Sequence, residues 1–198
     1  MIADMKRRIL IIQAHPDPRP ERYCQALAAA YRAGAESAGH QVETLTVAEL
    51  DFKLLRSEAE WKEAPAPDIQ CAQEAIAAAD HLVFVFPLWM GTMPALLKAF
   101  LEQVLRPGFA FDDQAREGFG GKRLQGKSAR AVVTMGMPGP VYRWFFGAHG
   151  YLYFKRNILK FCGIKPVRHC FAGLAAAKDG KGRQRWLQRV EKLGRDAS

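Results

Sequence analysis

Two stretches of the chain carry residue types that could hold an anion. The first, His15 to Cys24, joins an aliphatic run to an apolar-periodic one and contains an imidazole, His15, and a guanidinium, Arg22. The N–H groups that open a helix near Glu21 to Gln25 lack intrahelical partners and carry partial positive charge, so this turn suits a phosphate. It has no glycine-rich dinucleotide fingerprint. The second stretch, Gly121-Lys122-Arg123-Leu124-Gln125-Gly126-Lys127-Ser128, matches the triphosphate-binding P-loop pattern letter for letter. A P-loop must follow a buried strand and open a helix, because the helix N-terminus holds the phosphates. Here a polar, glycine-rich stretch, Asp112 to Gly120, precedes it and the β-branched run Ala129 to Thr134 follows, so it reads as a basic loop entering a strand. Cys24, Cys71, Cys162 and Cys170 are too scattered for a disulfide framework or a zinc pair, and no metal site is expected.

The elements that must position these groups alternate. Arg8 to Ala14 is an aliphatic run suited to a strand buried on both faces, and Tyr23, Leu27, Ala30, Tyr31 and Gly34 recur at helical spacing until Gly39. A second strand spans Gln41 to Val47, and Glu49 to Pro67 is an irregular excursion. Asp68 to Ala79 is a helix with a carboxylate in its first turn, His81 to Phe86 a third strand ended by Pro87, and Ala95 to Leu105 a helix opened by Pro94. Ala129 to Met135 is a strand, Leu152 to Cys162 a helix closed by Gly163, Val167 to Phe171 a strand, and Gly182 to Leu193 a helix. Five apolar strands alternating with helices predict a doubly wound α/β domain, a parallel sheet with helices on both faces, in one unit over residues 1–198. Ligands in such sheets bind beyond the carboxyl ends of the strands. The loops to search are therefore Gln13 to Pro16, Pro87 to Gly91 and Thr134 to Gly136.

Composition sets limits. With 198 residues, 49% hydrophobic and 25% charged, the chain can bury a sizeable core and is not of disordered or fibrous type. Its longest uncharged apolar stretch, Leu82 to Leu97, has 16 residues interrupted by Pro87, Gly91 and Pro94, short of a bilayer span. The run Ile9 to Ile12 is too brief for a signal-peptide core, so a cytoplasmic location is expected. The net charge of +9 is uneven: residues 1–98 carry 10 Lys and Arg against 13 Asp and Glu, residues 99–198 carry 19 against 7. The basic half could meet nucleic acid, an anionic surface or an anionic cofactor, or be a solvated basic helix over Lys178 to Arg195. No helix-turn-helix or RNA-binding signature is present, so no nucleic-acid partner is expected.

Three segments together carry a resemblance. Gln13-Ala14-His15-Pro16-Asp17-Pro18 ends the first strand; Phe86 to Phe100 is followed by Arg106-Pro107-Gly108-Phe109-Ala110-Phe111; Thr134-Met135-Gly136 leads to Tyr142 and His149-Gly150. In this order they resemble the flavodoxin-like NAD(P)H:quinone oxidoreductases of the DT-diaphorase or modulator-of-drug-activity-B type, from about Arg8 to Phe171. The resemblance implies a flavodoxin-like fold, a non-covalent flavin, NADH or NADPH as co-substrate, a quinone-like acceptor and a homodimer without membrane insertion. It assigns His15, Arg22, Tyr23 and Cys24 to the flavin phosphate, and Pro87, Leu88, Trp89, Met90 and Gly91 to the isoalloxazine ring. Thr134, Met135 and Gly136 fall to the pyrimidine edge of the ring, and Tyr142 and His149 to the catalytic pair.

A phenol and an imidazole there would stabilise the negative charge that hydride transfer leaves on the flavin. Two departures stand out. The family's first-turn serine is missing from Pro20-Glu21-Arg22-Tyr23-Cys24, with Arg22 as its substitute, and the usual bulky aromatics above the ring are thinned to Met90 and Gly91. Lys181, Arg183 and Arg185 could face an adenylate phosphate, which favours FAD, with FMN as the other flavin. A related branch of the family implies an alternative, a flavin-binding regulatory subunit docking on a membrane potassium-efflux transporter.

Overall fold

The computed structural model describes residues 6–112, 121–174 and 180–197. Lys178 and most of the Asp112 to Gly120 stretch lie outside the described residues. Five parallel strands, β1 (Arg8–Gln13), β2 (Gln41–Thr46), β3 (His81–Pro87), β4 (Ser128–Thr134) and β5 (Val167–Ala172), form one sheet in the order β2-β1-β3-β4-β5. The register sets Ile9 beside His81, Phe86 beside Val133 and Thr134 beside Ala172.

The helices are α1 (Tyr23–Ser37), α2 (Glu58–Lys62), α3 (Pro67–Ala78), α4 (Ala95–Val104), α5 (His149–Tyr153) and α6 (Gly180–Arg195). The period of two along each strand sorts the core into two layers. Ile9, Ile11, Val83, Val85, Val132, Cys170 and Ala172 pack with Leu27, Tyr31 and Ala35 of α1 and Val190 of α6. Leu10, Ile12, Phe84, Phe86, Ala131 and Val133 pack with Ile69 and Ile76 of α3, Leu97 and Phe100 of α4, and Phe154.

Two expected elements differ from the structure. The helix expected from Leu152 begins at His149 and runs directly into a π-helical turn, Phe154–Leu159, with a second π-helical turn at Val141–Phe145. The excursion after β2 is partly ordered: a 3-10 turn at Val47–Glu49 precedes α2, which Ser57 caps by accepting from the Glu60 N–H. Arg106 is 6% exposed and ties the excursion down. Its guanidinium donates to the carbonyls of Glu63 (2.7 Å), Glu60 and Trp61 (both 3.3 Å). The P-loop-like segment behaves as a loop entering β4. Lys127 Nζ donates to the carbonyls of Ala77 and Ala79 at 2.7 and 2.6 Å and so caps the carboxyl end of α3.

Helices α1 and α6 approach closely because both lack a side chain where they cross. A Cβ on Gly34 would lie 1.9 Å from the Glu191 carbonyl oxygen, and one on Gly194 would lie 2.1 Å from that of Tyr31. Gly34→Ala is expected to lower the unfolding free energy by about 3 kcal/mol in urea titration, since backbone must part to admit the methyl. A loss under about 1 kcal/mol would show that the crossing is looser than described. Nearby, buried His81 faces the Tyr31 ring at 6.4 Å, and burial first, then Arg130 and Arg7, pushes its pKa down to about 3. Between pH 6.5 and about 3 the unfolded chain binds a proton there that the folded chain does not. This contribution to stability is therefore complete above that window and is lost as acid passes down through it. The His81 ring resonances are expected to stay unshifted from pH 8 to pH 5; a titration midpoint near the ordinary histidine value would contradict the burial argument.

Candidate active site at the carboxyl ends of the strands

The strand ladders continue one residue past the sheet, so three loops leave it side by side. Ala14 N–H donates to Val85 O (2.9 Å), Leu88 N–H to Thr134 O (2.7 Å) and Met135 N–H to Ala172 O (3.1 Å). The loop after β1 carries His15, whose Nδ1 accepts from the Asp17 N–H at 3.0 Å and whose ring meets Trp89 edge-on at 5.9 Å. Burial lowers the His15 pKa below 6.5, so the imidazole is neutral at pH 7 with its proton on Nε2.

Asp17 gathers two arginines. Arg19 Nη2 reaches it at 2.7 Å and Arg22 Nε at 2.7 Å, which holds the carboxyl well below the usual carboxylate range. Arg22 is therefore committed to Asp17 and does not stand free as the expected phosphate donor. What the turn does offer is backbone. Arg22 opens α1 without a side-chain cap, and among the described residues the N–H groups of Tyr23 and Cys24 meet no acceptor. Two open donors at the positive end of a 15-residue helix fit one phosphate group.

The side chains of Tyr23 and Cys24 turn elsewhere. Cys24 Sγ is buried 3.3 Å from Thr134 Oγ1, and burial pushes the thiol up to about 11, so it packs as a neutral group. The Tyr23 hydroxyl donates to Arg183 O at 3.3 Å while the Arg183 guanidinium lies 4.6 Å above the ring. Of the third loop, Thr134 and Met135 are buried and Gly136 alone is exposed, with open space where a Cβ would stand.

The loop after β3 makes a two-residue turn. Trp89 N–H donates to Thr92 O at 2.9 Å and Thr92 N–H to Trp89 O at 3.0 Å. Both central residues have positive φ, 47° at Met90 and 79° at Gly91, as in the primed hairpin turns. Glycine adopts that conformation freely, whereas a methionine there costs about 1–2 kcal/mol. Met90 is also fully exposed, so its own side chain does not repay the strain.

Two contacts from the segment after β4 hold the turn. The Tyr142 hydroxyl donates to Gly91 O at 3.1 Å and accepts from the Tyr151 N–H at 3.1 Å. Gly150 packs directly beneath: a Cβ there would stand 2.2 Å from Gly91 O. Tyr142, expected in the catalytic pair, is 2% exposed and directs its hydroxyl proton to Gly91 O. His149, the first residue of α5, is exposed, and neither ring nitrogen is hydrogen-bonded among the described residues. The contacts of Gly150 and Tyr142 with the turn could not be read from the sequence, because a glycine and a tyrosine in a loop signal nothing about what they touch.

The chain belongs to the Flavodoxin-like fold family, whose model matches residues 7–193. It is 34% identical over 140 residues to an orangutan (Pongo abelii) ribosyldihydronicotinamide dehydrogenase [quinone], covering 66% of this chain and 59% of that protein. Thus it spans less than two thirds of that relative's length. An NAD(P)H oxidoreductase of Haemophilus influenzae is 28% identical over 184 residues, covering 90% of each chain. Similarity to the potassium-efflux ancillary protein KefG of Cronobacter sakazakii is partial, 42% over 76 residues and 38% of each chain. Among solved structures, the NAD(P)H:quinone oxidoreductase of Methanothermobacter marburgensis shares the fold with a TM-score of 0.84 at 22% identity, covering 98% of this chain and all of that one.

Tyr142→Phe is expected to cost about 1–3 kcal/mol of stability, because the buried Tyr151 N–H and Gly91 carbonyl both lose their partner. Amide hydrogen exchange at Tyr151 should quicken in the variant; unchanged protection there would contradict the bond.

Proposed function

We propose that the chain is a flavin-dependent oxidoreductase that passes two electrons from NADH or NADPH to a quinone or a similar small electrophilic acceptor. The observation that carries this reading is the strained Met90–Gly91 turn, held by Tyr142 and Gly150 on the same end of the sheet as the open Tyr23 and Cys24 N–H groups. One feature suits a phosphate and the other stands beside Trp89, whose ring meets His15 edge-on. A bound flavin would supply hydride acceptance and donation; the protein's part is to seat it and to manage charge and protons.

Backbone N–H groups at the start of α1 would hold the phosphate, and Pro87, Leu88 and the turn would lie along the ring. Exposed His149 is the group able to hold or release a proton beside it. Arg183 is occupied over Tyr23, so the basic cluster expected to bind an adenylate phosphate is incomplete, which supports FMN over FAD.

The oligomer in this proposal is a homodimer. Its support is an apolar surface on the π-helical turn after β4, where Trp144 is 77% exposed, Phe145 82% and Phe146 49%. The four free cysteines fit a reducing cytoplasm, and among the described residues no helix is long and apolar enough to cross a membrane.

Protein purified without added cofactor is expected to release flavin on denaturation, with a mass that identifies FMN or FAD; colourless protein that quenches neither flavin's fluorescence would overturn the proposal. Gly150→Ala should weaken flavin binding at least about tenfold, a loss of about 1.4 kcal/mol, by displacing the turn. Equal quenching curves for variant and wild type would show that the turn does not touch the flavin. In sedimentation velocity, Trp144→Ser with Phe145→Ser should give monomers from dimers, and a monomeric wild type would refute the dimer.

A further inference from the structure

At the opposite end of the sheet the amino-terminal ends of β1, β3, β4 and β5 enclose a cleft of about 510 Å³. Lys6, Arg7, Lys165 and Arg168 line it, with Asp80 as the one acidic lining residue. No ion pair engages any of these four cations among the described residues. Arg7 Nη1 donates to Ala197 O at 3.0 Å and to Ser128 Oγ at 3.4 Å. The side chains of Lys6, Lys165 and Arg168 are exposed and make no hydrogen bond among the described residues. Like charges gathered in a concave site repel one another and focus a positive potential that an anion relieves.

The walls are fixed by bonds that leave the side chains of Lys6, Lys165 and Arg168 free. Asp80 Oδ2 accepts from the Arg8 N–H at 2.8 Å and the Asp80 N–H donates to Arg8 O at 2.8 Å. Ser128 N–H donates to Asp80 O at 3.1 Å, Lys165 N–H to Lys127 O at 2.9 Å and Ala129 N–H to Pro166 O at 2.9 Å. Arg7 N–H donates to His40 Nδ1 at 3.2 Å, and His40 Nε2 bonds Arg195 O at 3.2 Å. Ser128 Oγ accepts from Arg7 and is hydrogen-bonded to His81 Nδ1 at 2.7 Å; burial keeps the histidine lining the cleft neutral, so it adds no charge of its own. Gly126, at φ 85°, has nothing within 4 Å of the place a Cβ would occupy, so the mouth is open there.

The geometry points to a second ligand site in this cleft, for a small molecule bearing two or more phosphate charges. Arg168 and Arg7 supply planar guanidinium forks for phosphate oxygens, and Lys6 and Lys165 supply point charges. The strands are six or seven residues long, which sets the cleft about 20 Å from the loops at their carboxyl ends. Occupancy here therefore does not compete with a phosphate on the first turn of α1.

The test is a titration of ¹⁵N-labelled protein, saturated with FMN, with inorganic pyrophosphate and separately with ADP, followed by amide shifts. Perturbations at Gly126, Lys165 and Arg168 that saturate in the low millimolar range or below are expected. They should be accompanied by a rise in Tm of about 5 °C at a hundredfold excess over Kd. Stronger binding of ADP than of pyrophosphate would mark a nucleotide as the source of the phosphates; equal binding would mark the phosphates alone. Lys165→Gln with Arg168→Gln should abolish both responses while leaving the unliganded Tm equal or higher, since repulsion is removed. Perturbations confined to Tyr23 and Cys24, an unaltered response in the double variant, or no saturable shift would overturn the site.

Discussion

The site depends on one hydroxyl group. Tyr142 lies buried between the Gly91 carbonyl, to which it donates, and the Tyr151 N–H, from which it accepts. Without that bridge the Trp89 to Thr92 turn would be a surface hairpin with a methionine in a left-handed conformation and no contact to repay it. With it, and with the bare face of Gly150 against the same carbonyl, the turn is fixed to α5 and through Phe171, whose ring meets Tyr142 edge-on at 5.2 Å, to β5. A strained, solvent-facing turn held from below is an arrangement that packing alone would not select.

The parallel register makes the bridge possible. Ala14 binds Val85 O, Leu88 binds Thr134 O and Met135 binds Ala172 O, so the exits of β1, β3, β4 and β5 are tied to one another before any loop begins. The two ends of the sheet then differ in charge for a simple reason. The start of α1 presents bare N–H groups at the carboxyl ends of the strands. The amino ends meet the finishing turns of α3 and α6, whose carbonyls recruit Lys127 and Arg7. Of the basic excess in the second half of the chain, Lys127 is taken up by this capping. Lys165 and Arg168, which cap nothing, are two others from that half, and they line the amino-end cleft.

Much of the architecture was legible in the residues. Ile9 to Ile12 and Leu82 to Phe86 are apolar at every position because both faces of the strand are buried, and the β-branched run after Ser128 marked β4 against the P-loop pattern. The start of α5 was not legible: Gly147 and Gly150 flank His149 and argue against a helix, yet left-handed Ala148 and the Tyr142 contact begin one there. Side-chain direction was the larger gap. Cys24 and Tyr142 sit in the segments where a ligand was expected, but helix phase turns the thiol inward, and the tyrosine ring is the apolar plug under the turn. A motif locates a segment; which of its atoms face the cleft depends on contacts from elements far away in sequence.

The most direct test is a crystal structure of the protein grown with FMN. The account predicts the isoalloxazine ring in van der Waals contact with Trp89 and the Met90–Gly91 backbone, the phosphate on the Tyr23 and Cys24 N–H groups, and the Tyr142 hydroxyl still bonded to Gly91. A flavin bound anywhere else, or a Tyr142 hydroxyl swung out to donate to the ring, would contradict it.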